Sequence, residues 1–364
     1  MANSTVAAGL TVQQWDAKFF RDYVRQNIFS QEFGTNENSV IQLKTDLTKK
    51  KGDSITFALV NALSGAGVTG SSTLEGNEEA MTSRSHAITV DKLRNAVRVA
   101  EIDEQFSAIS LRDAGKVVLK DWIAEKTRDQ IILQLLSKNG TLYASANEAA
   151  RDAWLVDNVD RVLFGALKSN NSGPGDHSAA LANIDNTADK LDYDIVQLAK
   201  RLAKTATPKI RPIRVDDGGE WYILYTHPMA FRDLKADTES IHQNAGVRGS
   251  KNPLFRDGDL ILDGVICREV PEIATQCDTP LASAGASSIQ VAANFLCGAQ
   301  AVGIGWAKRS TSVTEAFDYG DKVGVAIEEI RGISKLTFGG GSADTDDLQD
   351  HGVFTIYTAG VADS

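Results

Sequence analysis

Two strand-like segments, Ser54 to Val60 and His86 to Val90, flank a glycine- and serine-rich stretch from Asn61 to Ser83 that holds too few large apolar residues for a core of its own. A two-stranded element of this kind is marginal alone. The chain must therefore build a long flap that lies on something larger. Within the stretch, Gly65-Ala-Gly67-Val-Thr-Gly70 has the glycine spacing of a dinucleotide-binding fingerprint. That fingerprint needs a preceding strand and a helix opening at the third glycine, so that helix-end N–H groups meet the pyrophosphate. The strand is present. The helix is not, because Ser71 to Ser83 lacks apolar residues at helical spacing and is interrupted by Gly76. The stretch reads as an interaction element, and no cofactor is expected.

The rest of the chain narrows the chemistry by exclusion. A net charge of −10 opposes tight binding of nucleic acid, which needs clustered Lys and Arg. The basic run Lys49-Lys-Lys51 leads into Gly52-Asp53 and reads as a solvated turn. No apolar run approaches the roughly 20 residues that span a bilayer, and Met1-Ala-Asn-Ser-Thr lacks the features of a signal peptide. A location on the cytoplasmic side is expected. Cys267, Cys277 and Cys297 show no metal or disulfide spacing and are expected to be buried thiols. His86, His177, His227, His242 and His351 form no ligand pair; His227-Pro228 marks a strand-to-helix turn. Asp344, Asp346, Asp347 and Asp350 read as a solvated acidic loop rather than calcium ligands. Neither a nucleophile elbow nor a phosphate-binding loop is present. No catalytic or metal-binding residue is assigned, and the chain is not expected to be an enzyme.

Along the chain, residues 11 to 33 predict an amphipathic helix with an aromatic face; Trp15, Phe19 and Tyr23 step by four and stack on one side. Such an arm packs on its own domain or on a neighbour. Residues 107 to 138 predict the longest helix, a structural strut with a basic face of Arg112, Lys116, Lys120, Lys126 and Arg128. Beyond it, helices are predicted at Val156 to Lys168, Tyr193 to Lys204 and Met229 to Ala236. Strands are predicted at 214–216, 221–226, 260–262, 264–269, 322–330, 335–338 and 353–357. Between them the small-residue segment Leu296 to Trp306 should pack closely.

This order of parts resembles the major capsid proteins of tailed bacteriophages with the Hong Kong 97 fold, in particular the group typified by N4-like podophages. Stretches similar to that group's include Gly52-Asp-Ser-Ile-Thr-Phe57, Leu74-Glu-Gly-Asn-Glu-Glu79, Ile210-Arg-Pro-Ile213, Tyr222-Ile-Leu-Tyr-Thr-His-Pro228, Asn252-Pro-Leu-Phe255, Gly298-Ala-Gln-Ala301, Asp318-Tyr-Gly-Asp321 and Gly332-Ile-Ser-Lys335. The resemblance implies an α+β Hong Kong 97-like capsid fold. Its parts are an N-terminal arm (1–45), an extended β-hairpin flap or E-loop (46–104), and a spine helix with part of the peripheral domain (105–190). An axial domain with returning peripheral strands (191–330) and C-terminal strands of the peripheral domain (331–364) complete it.

The implied function is self-assembly into hexamers and pentamers of an icosahedral head, made in the host cytoplasm and enclosing double-stranded DNA. Portal, a separate scaffolding protein and a cement protein are implied partners. Some relatives weld neighbours through a flap lysine; residues 54 to 91 contain none, so non-covalent locking is expected. The expected inter-subunit residues are Trp15, Phe19 and Tyr23 of the arm, and Gly65, Gly67, Gly70, Glu75, Glu78 and Glu79 of the flap. On the spine they are Arg112, Lys116, Lys120, Lys126 and Arg128. The acidic flap and basic spine suggest complementary charge between neighbours. Alternatives are another phage or encapsulin-type shell or tube subunit, or a nucleotide-binding enzyme using Gly65 to Gly70.

Overall fold

The computed structural model describes residues 28–361 except 46, 48–51, 62, 64, 108–109, 172–174, 215–217, 239–254, 257–258 and 341–345. Trp15, Phe19 and Tyr23 therefore lie outside the described residues.

The predicted N-terminal helix does not extend to residue 33. Ile28–Gln31 is a single 3-10 turn, followed by β1 (Phe33–Gly34) and β2 (Ile41–Lys44). Phe29 is fully buried, edge-on to Tyr225 at 4.9 Å, so this end of the arm belongs to its own core. The flap strands β3 (Ser54–Val60) and β4 (Ser83–Thr89) are followed by β5 (Asp91–Ala100), α1 (Glu101–Phe106) and α2 (Leu111–Leu136). At the start of α2, Ser110 Oγ accepts from Asp113 N at 3.4 Å and Glu104 accepts from Leu111 N at 3.1 Å, satisfying donors that a helix N-terminus leaves open.

The remaining elements follow in order. They are α3 (Glu148–Asp157), β6 (Val162–Phe164), α4 (His177–Ala182), α5 (Tyr193–Thr205), β7 (Ile213–Arg214), β8 (Glu220–Thr226) and α6 (Pro228–Asp237). Next come β9 (Phe255–Arg256), β10 (Asp259–Leu262), β11 (Val265–Glu269), α7 (Glu272–Leu281) and β12 (Gln290–Cys297). The chain closes with β13 (Val302–Phe317), β14 (Lys322–Lys335), β15 (Thr337–Gly339), β16 (Leu348–Asp350) and β17 (Val353–Gly360).

The helix expected at Val156 to Lys168 is corrected. It ends at Asp157, and Val162–Phe164 pairs in parallel with β17, where sheet pairing overrides local helix preference. The sequence reading also did not anticipate α7, β12 or the extent of β13.

By internal contacts the chain divides into two compact units. The larger comprises residues 28–91, 127–308 and 331–364. It is built on a mixed sheet ordered β6-β17-β12-β8-β11-β10-β9, with β7 on β8. Residues of β12 and β17 are buried on both faces, as expected of strands covered by helices on either side. Their alternation divides two cores. Val291, Ala293, Phe295, Val353 and Tyr357 meet Ile131, Leu135, Trp154, Leu181 and Ile273 on one face. Ala292, Leu296, Phe354 and Ile356 meet Ile195, Ala199, Phe231 and Leu234 on the other. The result is a helix–sheet–helix body.

The smaller unit, residues 1–27, 92–126 and 309–330, is described from residue 92 onward. Its strands run β13-β14-β5, and the N-terminal half of α2 covers them through Leu119 and Ile123 against Val325 and Ile327. Within residues 331–364, β17 lies between β6 and β12 in the larger unit's sheet.

Candidate assembly surfaces

The flap has a buried root and an exposed tip. In β3 only alternate residues are buried, so Ile55 and Phe57 face the body. With Ile88 they pack on Leu336 and Phe338. Lys44 Nζ donates to Thr56 O at 2.8 Å and lies 4.5 Å from the centre of the Phe57 ring. Beside Leu336 and Phe338, part of the body side of this contact is glycine backbone. A Cβ on Gly303 would lie 2.8–3.0 Å from Ile88, Leu336 and Phe57, and one on Gly305 would lie 2.9 Å from Ile55. At Gly332 a Cβ would meet Ile88 Cγ2 at 2.7 Å and the Thr89 carbonyl oxygen still closer. The small-residue segment thus packs closely, as expected, and what it packs against is the flap root.

His86 completes the root. Its ring nitrogens lie 3.2 Å from the hydroxyls of Ser334 and Thr337, and its ring is edge-on to Phe338. Burial lowers its pKa. Phe338 is also edge-on to His351, whose pKa burial, then Arg161 and Arg211, push down to about 4. A cleft of about 380 Å³ beside the root is lined by Leu59, Asn61, Arg84, Arg161, Pro208 and His351, among others.

Behind the root sits a buried polar node. Lys335 Nζ donates to Asp350 Oδ2 at 2.7 Å and Ser137 O at 2.6 Å, and Trp154 Nε1 donates to the same carboxylate at 3.2 Å. Asp350 is 1 % exposed, which corrects its placement in a solvated acidic loop; pairing with Lys335 offsets the cost of burying it. Lys138, also buried, stands 3.1 Å from the centre of the Trp154 ring, and its pKa is held well below the usual lysine range, mainly by burial.

The tip spans 61–82. Asn61 N donates to Thr82 O at 3.0 Å and extends the ladder, after which Gly65 N donates to Glu79 Oε2 and Gly76 N to Glu78 Oε2, each at 2.7 Å. Gly67, Gly70 and Gly76 have φ of 70°, 69° and 87°, conformations that favour glycine. Two of the three fingerprint glycines, Gly67 and Gly70, are therefore spent on left-handed turns, and no helix opens after Gly70. Glu75 is exposed. Val60, Leu63, Leu74 and Met81 are 57–72 % exposed.

On α2, Lys116, Lys120 and Lys126 are exposed and Arg112 is half-buried. Lys116 pairs with Asp113 at 3.1 Å. Arg128 does not belong to the exposed basic row: it is buried and paired with Asp129 at 2.9 Å and Glu272 at 3.2 Å. Two residues beyond Lys126, about 200° round the helix, it falls on the core side.

Elsewhere the side chains are structural. His227 caps α6 by accepting from Met229 N at 3.2 Å, as its place before Pro228 suggested. The cysteines are free and buried. Glu148, Asp152 and Asp176 converge, but each accepts backbone donors at the start of α4, which explains the cluster without an ion. Among the described residues, no helix is long and apolar enough to cross a membrane.

Comparison with known proteins agrees with this geometry. A family model described as "Phage capsid protein" matches residues 3–362. The major capsid protein of Pseudomonas phage KPP25 is 31 % identical, over 98 % of each chain. The capsid subunit of cyanophage Pam1 is 32 % identical, with a TM-score of 0.87 over 100 % of both chains. That of Ralstonia phage GP4 shares the fold at 22 % identity, with a TM-score of 0.76 over 100 % of both chains.

Proposed function

The chain belongs to the phage capsid protein family and is a structural shell subunit; we propose that its copies assemble as hexamers and pentamers of an icosahedral head around double-stranded DNA. The observation that supports this most directly is the flap: its root is seated in its own body by Ile55, Phe57 and Ile88, while its tip holds Val60, Leu63, Leu74 and Met81 in solvent. An exposed apolar tip on an anchored stalk is stable only when a neighbour covers it. The role is structural rather than enzymatic.

Locking between subunits is non-covalent, since residues 54–91 lack lysine. Glu75, Glu78 and Glu79 of one copy face Lys116, Lys120 and Lys126 of the next and set register. Each such exposed pair contributes only about 0–1 kcal/mol, so apolar contacts supply the affinity. Trp15, Phe19 and Tyr23 dock between subunits. The unit holding 92–126 and 309–330 is the peripheral domain, and the large-sheet body is the axial domain. A portal, a separate scaffolding protein and a cement protein complete the head, which is assembled in the host cytoplasm.

Electron microscopy of the chain purified from cells in which it assembles with its scaffolding protein should show closed shells. The triple variant L63S/L74S/M81S should remain folded and soluble but fail to form them. Small oligomers only from the wild type, or normal shells from the triple variant, would overturn this reading.

A further inference from the structure

Among the described residues, the outer part of β13 is a long strand edge without the usual protection. Every residue from 309 to 317 is exposed. Among the described residues, β14 covers one edge of β13, and β2 reaches along the other only from Val302 to Gly305. Soluble proteins blunt such edges with lysine, proline, bulges or short length, because the row of open N–H and C=O groups invites pairing with another chain. Here Ser310-Thr-Ser-Val-Thr-Glu-Ala-Phe317 has no lysine and no proline, and its single charge is Glu315. Thr311, Val313 and Thr314 give it high strand preference.

The same segment is complementary to itself. In an antiparallel pair of two copies centred on Ser312, Arg309 of each copy stands opposite Glu315 of the other. Thr311 stands opposite Val313 on the same face, and Ser310 opposite Thr314 on the other face. Unlike charges and β-branched residues directly opposite one another stabilise antiparallel pairs. Centring the pair on Glu315 would instead set carboxylate against carboxylate.

The geometry points to an isologous contact in which residues 309–317 of two copies pair antiparallel about Ser312 and join two three-stranded sheets into one. A two-fold contact uses the same patch on both partners, as this register does. The inference rests on the shell-subunit reading and adds to it a specific interface distinct from the flap.

Cysteine cross-linking tests it on a clean background, because Cys267, Cys277 and Cys297 are all buried. Directly opposed residues have Cα atoms about 4.5–5.5 Å apart, which lies within disulfide range. Particles of S312C, oxidised and run without reductant, should therefore give a disulfide dimer. S310C should not, since the two copies of residue 310 sit four residues out of register, about 13 Å apart. S310C/T314C should give the dimer again. Normal particles in which S312C stays monomeric, or links no better than S310C, refute the contact. So does a dimer found only when S312C is combined with M81C, which would place a neighbour's flap on this edge. Failure of the wild type to form particles would refute the shell reading and this contact with it.

Discussion

Changing Gly332 to alanine tests whether the flap root is seated on backbone. The new Cβ would meet Ile88 Cγ2 at 2.7 Å and the Thr89 carbonyl oxygen closer still. A side-chain tip could swing aside, but a carbonyl of β4 moves only with its strand, so the root must lift by about 1 Å. Ile55, Phe57 and Ile88 are each at most 4 % exposed, and burying three such side chains contributes roughly 6 kcal/mol. A gap of 0.5–1 Å forfeits about a quarter to a half of close-contact energy, or roughly 1.5–3 kcal/mol here. Replacing glycine in a strand returns about 0.5–1 kcal/mol, which leaves a net loss of about 1–2 kcal/mol. Amide exchange across residues 54–60 and 83–89 of unassembled subunits should then accelerate about 5- to 30-fold. G67A, at a tip position with open space and φ of 70°, should leave root exchange unchanged. Wild-type exchange at the root of G332A would show that the seat is not made as described.

Two further outcomes follow from the buried polar groups. D350A strands the Lys335 ammonium in the core and should lose about 3–5 kcal/mol in urea denaturation, whereas K335M/D350L should recover most of it; equal losses would deny the pairing. Stability should also fall with acid: His351 is held near 4 and His177 near 2, so both stay neutral in the fold while the unfolded chain takes up protons below about pH 6.5. Above that pH neither contributes; below it each should cost about 1.4 kcal/mol per pH unit, His351 until about pH 4 and His177 until about pH 2. H351N should lessen the slope above pH 4, and a flat profile from pH 7 to 5 would contradict the assignment.

The elements legible in the sequence were those with a local signature. The strand at Ser54–Val60, the helix expected at Tyr193 to Lys204 and the His227-Pro228 helix start each appear close to where they were read. The part of the flap not legible was its seat, because Gly303, Gly305 and Gly332 act through space left empty, and their partners lie far away in sequence. Asp350 was misplaced for a related reason. Its neighbours in sequence are acidic and polar, while Lys335, Trp154 and Ser137, which hold it, come from other elements. Val162–Phe164 became strand only because β17 supplies its partner. The family resemblance came from the order of parts, and the phage capsid match over residues 3–362 agrees with it.

The backbone seat also sets how this region can drift under mutation. In most cores an enlarged side chain can be accommodated by a smaller one opposite, so contacting positions change in pairs. Opposite Ile55, Phe57 and Ile88, three positions are already glycine with nothing left to trim, which leaves only Leu336 and Phe338 to give way. Growth on either side of that contact has little room for a compensating partner. A larger residue there would have to be absorbed by repositioning the whole hairpin, which would re-aim its tip. With the tip docked on a neighbour as proposed, sequence change at the root is coupled to the angle at which two subunits meet.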